Sequence, residues 1–355
     1  MKIAAVLSLM AIVFLGLSGC GRQAEIYNGT MKILGSVANV SIVGLSEKEA
    51  KAAIDAVERE LDQLDQIGYI FEPEGELYNL NAALAANRSF AISSEFAMLL
   101  HTADSLSRAS GGLFNPAAGA LTTMWEFRCD SENCTKSPYP DEVRHLINRR
   151  KKNIINRKPS MNDLRFDGSQ VSSKNAAVQL EFGDIIRGFA LDRGMQRLKN
   201  RGVKNAMIQF KGSTRTIGSR GGHPWWVEVS PANHEFILGS IEDISEEAVV
   251  TVSAFDKPIS EKDTLYRPVI DSRTGLPVKA IQSVTVVHDS ATVANVAAVV
   301  FLVNGVENWS ELARKMGVQA LLIITADGTV YASPRMEERL HWKREYPHHH
   351  LIPKS

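Results

Sequence analysis

The sequence is poor in cysteine, in net charge and in long apolar runs. Its 355 residues include three cysteines, and 40 basic side chains balance 40 acidic ones, so the formal net charge is zero. A structural zinc site needs about four clustered thiolate or imidazole ligands, and nucleic-acid binding domains present a basic field. The composition favours neither, and we expect no nucleic-acid partner. With 44% hydrophobic residues, the chain can instead bury a large core.

The N-terminus has the features of an export signal. Lys2 precedes an apolar run from Ile3 to Leu17, and two small residues separate this run from Cys20. The run is shorter than the about 20 apolar residues that a spanning helix needs. A charged start, a short apolar core and a small-residue cleavage site are typical of a secretory signal. The sequence Leu-Ser-Gly-Cys at 17–20 also fits the bacterial lipobox.

These features predict a lipoprotein signal peptide over residues 1–19 and lipidation of Cys20. The alternative is an uncleaved N-terminal anchor. We expect the chain to be lipid-anchored at the periplasmic face of a membrane. Because Gly21 rather than aspartate follows the cysteine, the outer membrane of a Gram-negative host is favoured.

The other two cysteines, Cys129 and Cys134, lie close together in a polar segment. In an exported protein such a pair is more often a disulfide than a metal site. No histidine or further cysteine is near enough in the sequence to complete a zinc set. We therefore predict a Cys129–Cys134 disulfide.

The pattern of apolar residues predicts an α+β fold, with mixed sheets packed by helices in a single compact region. We expect a tether over 20–32, one domain over 33–333, and a poorly ordered, charged and histidine-containing tail over 334–355. The predicted strands are 37–43, 203–210, 225–229, 248–252, 283–287 and 318–325. The predicted helices begin near Ser46, whose capping box includes Glu49, and near Ser94, and span 185–200 and 291–302.

Residues 181–192 are the most informative stretch of the chain. They begin at Glu181, pass through a Gly-Asp turn at 183–184, and continue into a helix that contains Arg187, Gly188 and Asp192. The backbone amides at a helix N-terminus, together with a nearby cation, suit an anionic ligand. A second stretch, Gly-Gly-Leu-Phe-Asn-Pro at 111–116, is by itself typical of a helix C-cap followed by a turn.

Residues 181–192 resemble Asp-Leu-Gly-Gly-Ile-Ala-Lys-Gly-Tyr-Ala-Val-Asp, a signature of the ApbE family, the FAD:protein FMN transferases. Other segments match family motifs in the same order, and the similarity runs from about 33 to 325. Leu-Gly-Ser at 34–36 stands at Met-Gly-Thr, and 111–116 stands at Gly-Gly-x-Phe-Asp-Pro. Ile-Asp-Ser-Arg-Thr-Gly-Leu-Pro at 270–277 is similar to Ile-Asp-Pro-x-Thr-Gly-x-Pro.

The resemblance implies an ApbE-like fold and the transfer of FMN from FAD to a threonine of an exported flavoprotein, with release of AMP. It also implies FAD and Mg²⁺ as cofactors and a flavoprotein acceptor as partner. The residues at FAD-binding motif positions are Gly35, Tyr78, Leu113, Phe114, Asn115, Glu181, Arg187, Asp271, Thr274 and Gly275.

The chain departs from the family at the positions that hold Mg²⁺ and assist proton transfer. Asn295 stands at the metal-binding Asp, Val299 at the Thr, and Pro268 at the His. We consider that Asp184, which replaces a glycine, supplies the missing charge to the metal together with Asn295. The alternative is that Asp184 only caps its helix.

Three functions are therefore compared. The first is a transferase with an altered Mg²⁺ site. The second is a flavin-binding lipoprotein of reduced activity, which acts as a carrier or as an accessory of a redox complex. The third is a scaffold that binds neither flavin nor metal. The resemblance alone does not decide among them, because function depends on the site more than on the fold.

Overall fold

The computed structural model describes residues 25–68, 75–124, 151–230, 237–254, 269–343 and 348–350. The strands are β1 Ile26–Ile33, β2 Ser36–Val43, β3 Phe90–Ala91, β4 Leu164–Asp167, β5 Gln170–Ser173, β6 Ala206–Phe210, β7 Ser213–Ile217, β8 Trp225–Val229, β9 Gly239–Ile244, β10 Ala248–Ser253, β11 Ile270–Asp271, β12 Leu276–Pro277, β13 Ile281–His288, β14 Ala320–Thr325, β15 Val330–Ala332, β16 Leu340–Trp342 and β17 His348–His350.

The helices are α1 Glu47–Gly68, α2 Glu76–Ala85, α3 Ser94–Ala109, α4 Gly119–Met124, α5 Gly183–Asn200, α6 Ala291–Asn304, α7 Trp309–Met316 and α8 Pro334–Arg339. Residues 151–157 are also helical, and Met161–Asp163 form a short 3₁₀ turn. In the described parts of the chain, no helix is long and apolar enough to cross a bilayer.

A nine-stranded sheet organises the molecule, in the order β1-β2-β6-β7-β10-β13-β14-β15-β17. All neighbours in this sheet are antiparallel except β15 and β17, which are parallel. Antiparallel neighbours together with separate helices make an α+β fold, which confirms the predicted class.

The central sheet is buried on both faces. Alternate residues of one strand contribute to two different hydrophobic clusters: Val250 of β10 lies in the larger one, and Val249 lies in the smaller one. The larger cluster contains the buried faces of α1, α3, α5 and α6. The smaller cluster is covered by the three-stranded sheet β16-β9-β8. Burial on both faces explains why β14 is apolar over all but its last residue.

The predicted capping box opens α1. The Ser46 amide donates to Glu49 Oε2 at 3.0 Å, and the Glu49 amide donates back to Ser46 Oγ at 3.4 Å. These bonds satisfy two amides that the first turn of a helix leaves free. Hydrogen bonds from Ser46 also lower the pKa of the Glu49 carboxyl from its usual value. The predicted start of this helix is confirmed.

Two expectations about the chain ends are wrong within the described residues. Strand β1 pairs with β2 along its whole length from Ile26, so residues 26–32 are part of the sheet and not a tether. After residue 333, α8 and β16 bring Met336 and Leu340 into the smaller core. Arg339 also makes a two-pronged ion pair with Glu247 at 2.7 and 2.8 Å. Strand β1 has eight residues but buries only Met31 and Ile33, so it shows little apolar alternation. The elements α8 and β16, with six and three residues, are too short to show a hydrophobic period.

Replacing Met336 with alanine should destabilise the protein by about 2–5 kcal/mol, because the side chain is fully buried and would leave a cavity. The measurement is the urea midpoint of unfolding. The control, Glu338→Ala on the same helix, removes a side chain that is 63% exposed and should change stability by less than about 0.5 kcal/mol. Equal midpoints for Met336→Ala and the wild type would contradict this role of α8.

Some predictions fall outside the described residues. These are the signal peptide, Cys20, the Cys129–Cys134 pair and Pro268. They remain predictions.

Candidate functional site

The loop after α3 and the segment before α5 are joined by backbone hydrogen bonds. The Gly119 amide donates to the Gln179 carbonyl at 2.9 Å, and the Glu181 amide donates to the Pro116 carbonyl at 3.0 Å. From the other side, the Asn81 side chain in α2 both donates to and accepts from the backbone of Leu180, at 2.9 and 2.7 Å. Three segments that are far apart in the sequence therefore meet at residues 179–181.

Asn115 holds this loop against the end of the helical segment 151–157. Its Nδ2 donates to the Pro159 carbonyl at 2.9 Å. Its Oδ1 is buried and has no hydrogen-bond partner among the described residues. Phe114 is buried in the larger core, and Leu113 packs against that core. The predicted helix C-cap is also present. The Gly112 amide donates to the Ser107 carbonyl at 2.8 Å, and the φ of Gly112 is +83°.

Glu181 caps the start of α5. Its Oε1 accepts a hydrogen bond from the Gly183 amide at 2.7 Å, and the residue is 6% exposed. A carboxylate here satisfies a free amide and interacts favourably with the helix dipole. Arg187 follows one turn later and is partly exposed. The side chain of Asp184, the second residue of α5, lies outside what the structure describes.

Helices α5 and α6 meet at Gly188 and Asp192. An added Cβ at Gly188 would lie 2.8 Å from Thr292 Cα and even closer to the Ala291 carbonyl, so only glycine permits this approach. One turn later, Asp192 accepts hydrogen bonds from the Ala291 and Thr292 amides, both at 2.9 Å. The spacing of four residues puts both groups on one face of α5. This pair therefore fixes the position of α6 against α5.

A Gly188→Ala variant should lose about 1–3 kcal/mol of stability, because the new methyl group meets backbone atoms that cannot turn away. Gly194→Ala in the same helix is the matched control. Its Cβ would meet only the ends of flexible side chains, of which the nearest is Leu61 Cδ1 at 3.3 Å, so it should be neutral or stabilising by up to about 1 kcal/mol. Thermal unfolding of both variants is the measurement, and equal shifts would contradict the close helix contact.

Asp271, Thr274 and Gly275 form a tight corner between β11 and β12. The Gly275 amide donates to the Asp271 carbonyl at 2.7 Å, and the φ of Gly275 is +64°. Arg273 pairs with the Asp271 carboxylate at 2.9 Å, and this hydrogen bond raises the pKa of the guanidinium above its usual value. Since Asp271 is already paired, its role in the described structure is to shape the corner.

Several predicted residues lie at one end of the central sheet. The turn of Leu34 and Gly35 joins β1 to β2, with φ values of +50° and +62°. The β6–β7 turn, the end of β10 and the start of β13 lie at the same end, as the strand registers require. The corner at 271–275 directly precedes β13. Tyr78 is 46% exposed on α2, so its ring is available for contact with a ligand.

The residues at the family's metal positions do not fit Mg²⁺. Asn295 and Val299 are 1% and 3% exposed, and they lie one turn apart on α6. Mg²⁺ requires several oxygen ligands in near-octahedral geometry and favours carboxylates, whereas this face offers one amide and a hydrocarbon. Within the described residues, no three His, Cys, Asp or Glu side chains form a group that could hold a metal. The proposal that Asp184 compensates remains a prediction.

The profile of the ApbE family matches residues 34–322. This chain belongs to the ApbE family. An FAD:protein FMN transferase of Rhodobacter capsulatus is 31% identical over 311 residues, which cover 88% of this chain and 58% of that protein. The chain thus spans less than two thirds of that relative. Another protein of the same name from Chlamydia pneumoniae is 26% identical over 82% of this chain and 89% of its own length.

Solved ApbE structures share the fold of this chain. The ApbE protein of Thermotoga maritima superposes with a TM-score of 0.74 at 21% identity, over 90% of this chain and all of that one. The flavinyl transferase ApbE of Pseudomonas stutzeri has a TM-score of 0.73 at 20% identity, over 91% and 99%. The predicted family and fold are confirmed.

Sequence reasoning missed two residues that organise this ApbE-family site. Asn81 joins α2 to the segment that enters α5. Asp192 is the last residue of the recognised signature, and the sequence did not predict its hydrogen bonds to the start of α6. In both cases the available signal was a short polar side chain among the apolar residues of a helix.

Proposed function

We propose that this chain is an FAD:protein FMN transferase, which moves FMN from FAD to a threonine of an exported flavoprotein. One assembly supports the proposal. The loop of Asn115 pairs with residues 179–181, and these lead directly into the N-terminus of α5 and to Arg187. A helix N-terminus with a nearby guanidinium suits a diphosphate.

In the proposed reaction, the threonine oxygen attacks the phosphorus on the FMN side of the FAD diphosphate. A new oxygen–phosphorus bond forms, and the bond to AMP breaks, so AMP leaves with the bonding electron pair. Phosphoryl transfer depends mainly on positioning and charge stabilisation. Arg187 and the α5 N-terminus would stabilise the negative charge. The threonine proton passes to solvent, since Pro268 has no group that accepts it.

The second candidate is a flavin-binding protein of reduced activity, a carrier or accessory of a redox complex. The observation that favours it is the pair Asn295 and Val299, which together offer no carboxylate to a metal. A site without the ion loses charge neutralisation of the transferring group, which lowers the rate. Binding of FAD requires less of the site than transfer does, so binding can persist when transfer is slow.

One experiment separates the candidates. The mature chain is mixed with FAD, desalted and examined for retained flavin absorbance, and then an exported flavoprotein acceptor is added and AMP is measured. AMP release with flavin linked to the acceptor supports the transferase. Retained flavin without AMP supports the carrier. If neither retained flavin nor AMP is found, both candidates are contradicted and the scaffold remains.

The metal requirement is tested by a separate binding measurement. If Asp184 supplies the charge that Asn295 lacks, Mg²⁺ should bind to the wild type, and Asp184→Ala should abolish that binding. Isothermal titration with MgCl₂ in the presence of FAD measures it. If Asp184→Ala leaves the Mg²⁺ affinity unchanged, Asp184 does not bind the metal, and the helix-cap alternative stands.

We also propose that the chain is lipid-anchored through Cys20 at the periplasmic face of a membrane, the outer one being favoured. The lipobox pattern at 17–20 supports this proposal. Fractionation of cells that express the wild type or Cys20→Ser tests it. The wild type should sediment with membranes, and the variant should not acquire lipid.

A further inference from the structure

A basic segment lies against the corner at 271–275. The side chain of Lys151 passes over Gly275, so that an added Cβ on the glycine would lie 2.6 Å from Lys151 Cγ and 2.8 Å from Cδ. Ile155, one turn later, packs at the same place, 3.3 Å from that Cβ position. The Lys151 stem is thus held by packing, and the residue is only partly exposed.

The same segment reaches the loop that abuts α5. At its end, the Pro159 carbonyl accepts the hydrogen bond from Asn115, and the Arg157 carbonyl accepts one from Asn175 Nδ2 at 3.0 Å. Residues 151–159 therefore connect the Thr274–Gly275 corner to the loop beside Glu181. Lys151 stands at the corner end of this connection.

Lys151 differs from the two nearby basic residues, Arg273 and Lys152, in how its side chain is packed and paired. Arg273 on the corner is paired with Asp271 at 2.9 Å. Among the described residues, no hydrogen bond or ion pair engages the Lys151 ammonium. The adjacent Lys152 is exposed. Of these three side chains, Lys151 alone combines a fixed stem with an ammonium that can bind an added anion.

We propose that Lys151 is a binding residue for the diphosphate of FAD, and that it contributes positive charge in a site whose α6 positions do not fit Mg²⁺. This inference rests on the proposed function, because it takes FAD as the ligand. An ammonium interacts with phosphate as a compact point charge. Lys151 at the corner and Arg187 in α5 would then both interact with the phosphates of the nucleotide.

Flavin affinity tests the inference. Lys151→Met removes the charge and keeps the length of the stem that packs on Gly275, so the fold should persist. We expect the FAD dissociation constant of the mature chain to rise about tenfold, as for loss of one charged hydrogen bond. Riboflavin, which has no phosphate, should bind equally to the variant and to the wild type. Lys151→Arg should stay within about threefold of the wild type for FAD.

The control is Lys152→Met, which removes one positive charge from the same segment and should leave FAD affinity unchanged. If Lys151→Met and Lys152→Met bind FAD equally, or if Lys151→Met weakens riboflavin as much as FAD, the inference is overturned and the proposed function stands. If the wild type binds no FAD, the proposed function is overturned and the inference with it.

Discussion

Asp192→Ala is expected to be the most destabilising single substitution that we propose. Five donors converge on its two carboxylate oxygens: Ala291 N, Thr292 N, Thr292 Oγ1, Ser290 Oγ and Arg215 Nε, at 2.7 to 3.1 Å. Arg215 is 9% exposed, so its charge would remain buried without this carboxylate. Leaving a buried charge without its partner costs about 3–5 kcal/mol.

The consequence should be visible in unfolding and in flavin binding. With an unfolding entropy of about 2.1 cal/mol/K per residue, a loss of about 3 kcal/mol lowers the unfolding midpoint of a domain of about 300 residues by about 5 °C. Because Asp192 caps α6 from α5, α6 would also lose its fixed position, and FAD affinity should fall. Differential scanning calorimetry and FAD fluorescence titration measure the two effects.

A matched control and a double-mutant cycle complete this test. Asp289→Ala removes a carboxylate that is 82% exposed, next to the same helix, and should shift stability by less than about 0.5 kcal/mol. In an Arg215→Met background, Asp192→Ala should cost less than it does alone, since no buried guanidinium is then left unpaired. If the costs of the two single variants add up to the cost of the double variant, Asp192 and Arg215 are not energetically coupled, which would contradict the prediction.

The second prediction with a large effect concerns a variant with aspartate and threonine at positions 295 and 299, where the family resemblance places metal ligands. The double variant Asn295→Asp/Val299→Thr should acquire Mg²⁺ binding, because it places a carboxylate and a hydroxyl one turn apart on α6. Without metal, the new carboxylate sits at a position that is 1% exposed, so the variant should melt below the wild type in EDTA. Saturating Mg²⁺ at 100 times its dissociation constant should return about 2.7 kcal/mol.

The metal-dependent shift in the unfolding midpoint is the measurement, and it does not depend on transfer activity. Val299→Thr alone is the control, and Mg²⁺ should not stabilise it. If the double variant melts at the same temperature in EDTA and in Mg²⁺, the α6 positions are not those of a metal site in this chain. An increase in FMN transfer with Mg²⁺ would in addition favour the transferase over the carrier.

Much of the fold could be predicted from local patterns. The helix that starts with the Ser46 capping box, strand β8 and helix α6 were found within a few residues of their observed bounds. Apolar spacing and capping residues act over one or two turns, so they are readable along the chain. The short α8 and β16 escaped, because elements of six and three residues carry too little pattern.

The sequence named candidate site residues but not their contacts. Glu181, Asn115 and Gly275 were identified through the motifs that contain them. Their partners were not, since the Asn115 amide binds a carbonyl 44 positions away and Gly275 packs on Lys151 from a different segment. Resemblance identifies positions that matter, and it does not report which backbone atom a side chain meets.

The sequence by itself determined the family and the order of the main elements, because these depend on residue identity and short-range pattern. Only the tertiary structure decided that Asp192 caps α6 across 98 to 100 positions of chain, and that Lys151 lies on the corner at Gly275. Contacts of this kind depend on how helices and sheet pack, and packing brings together groups that no local period relates.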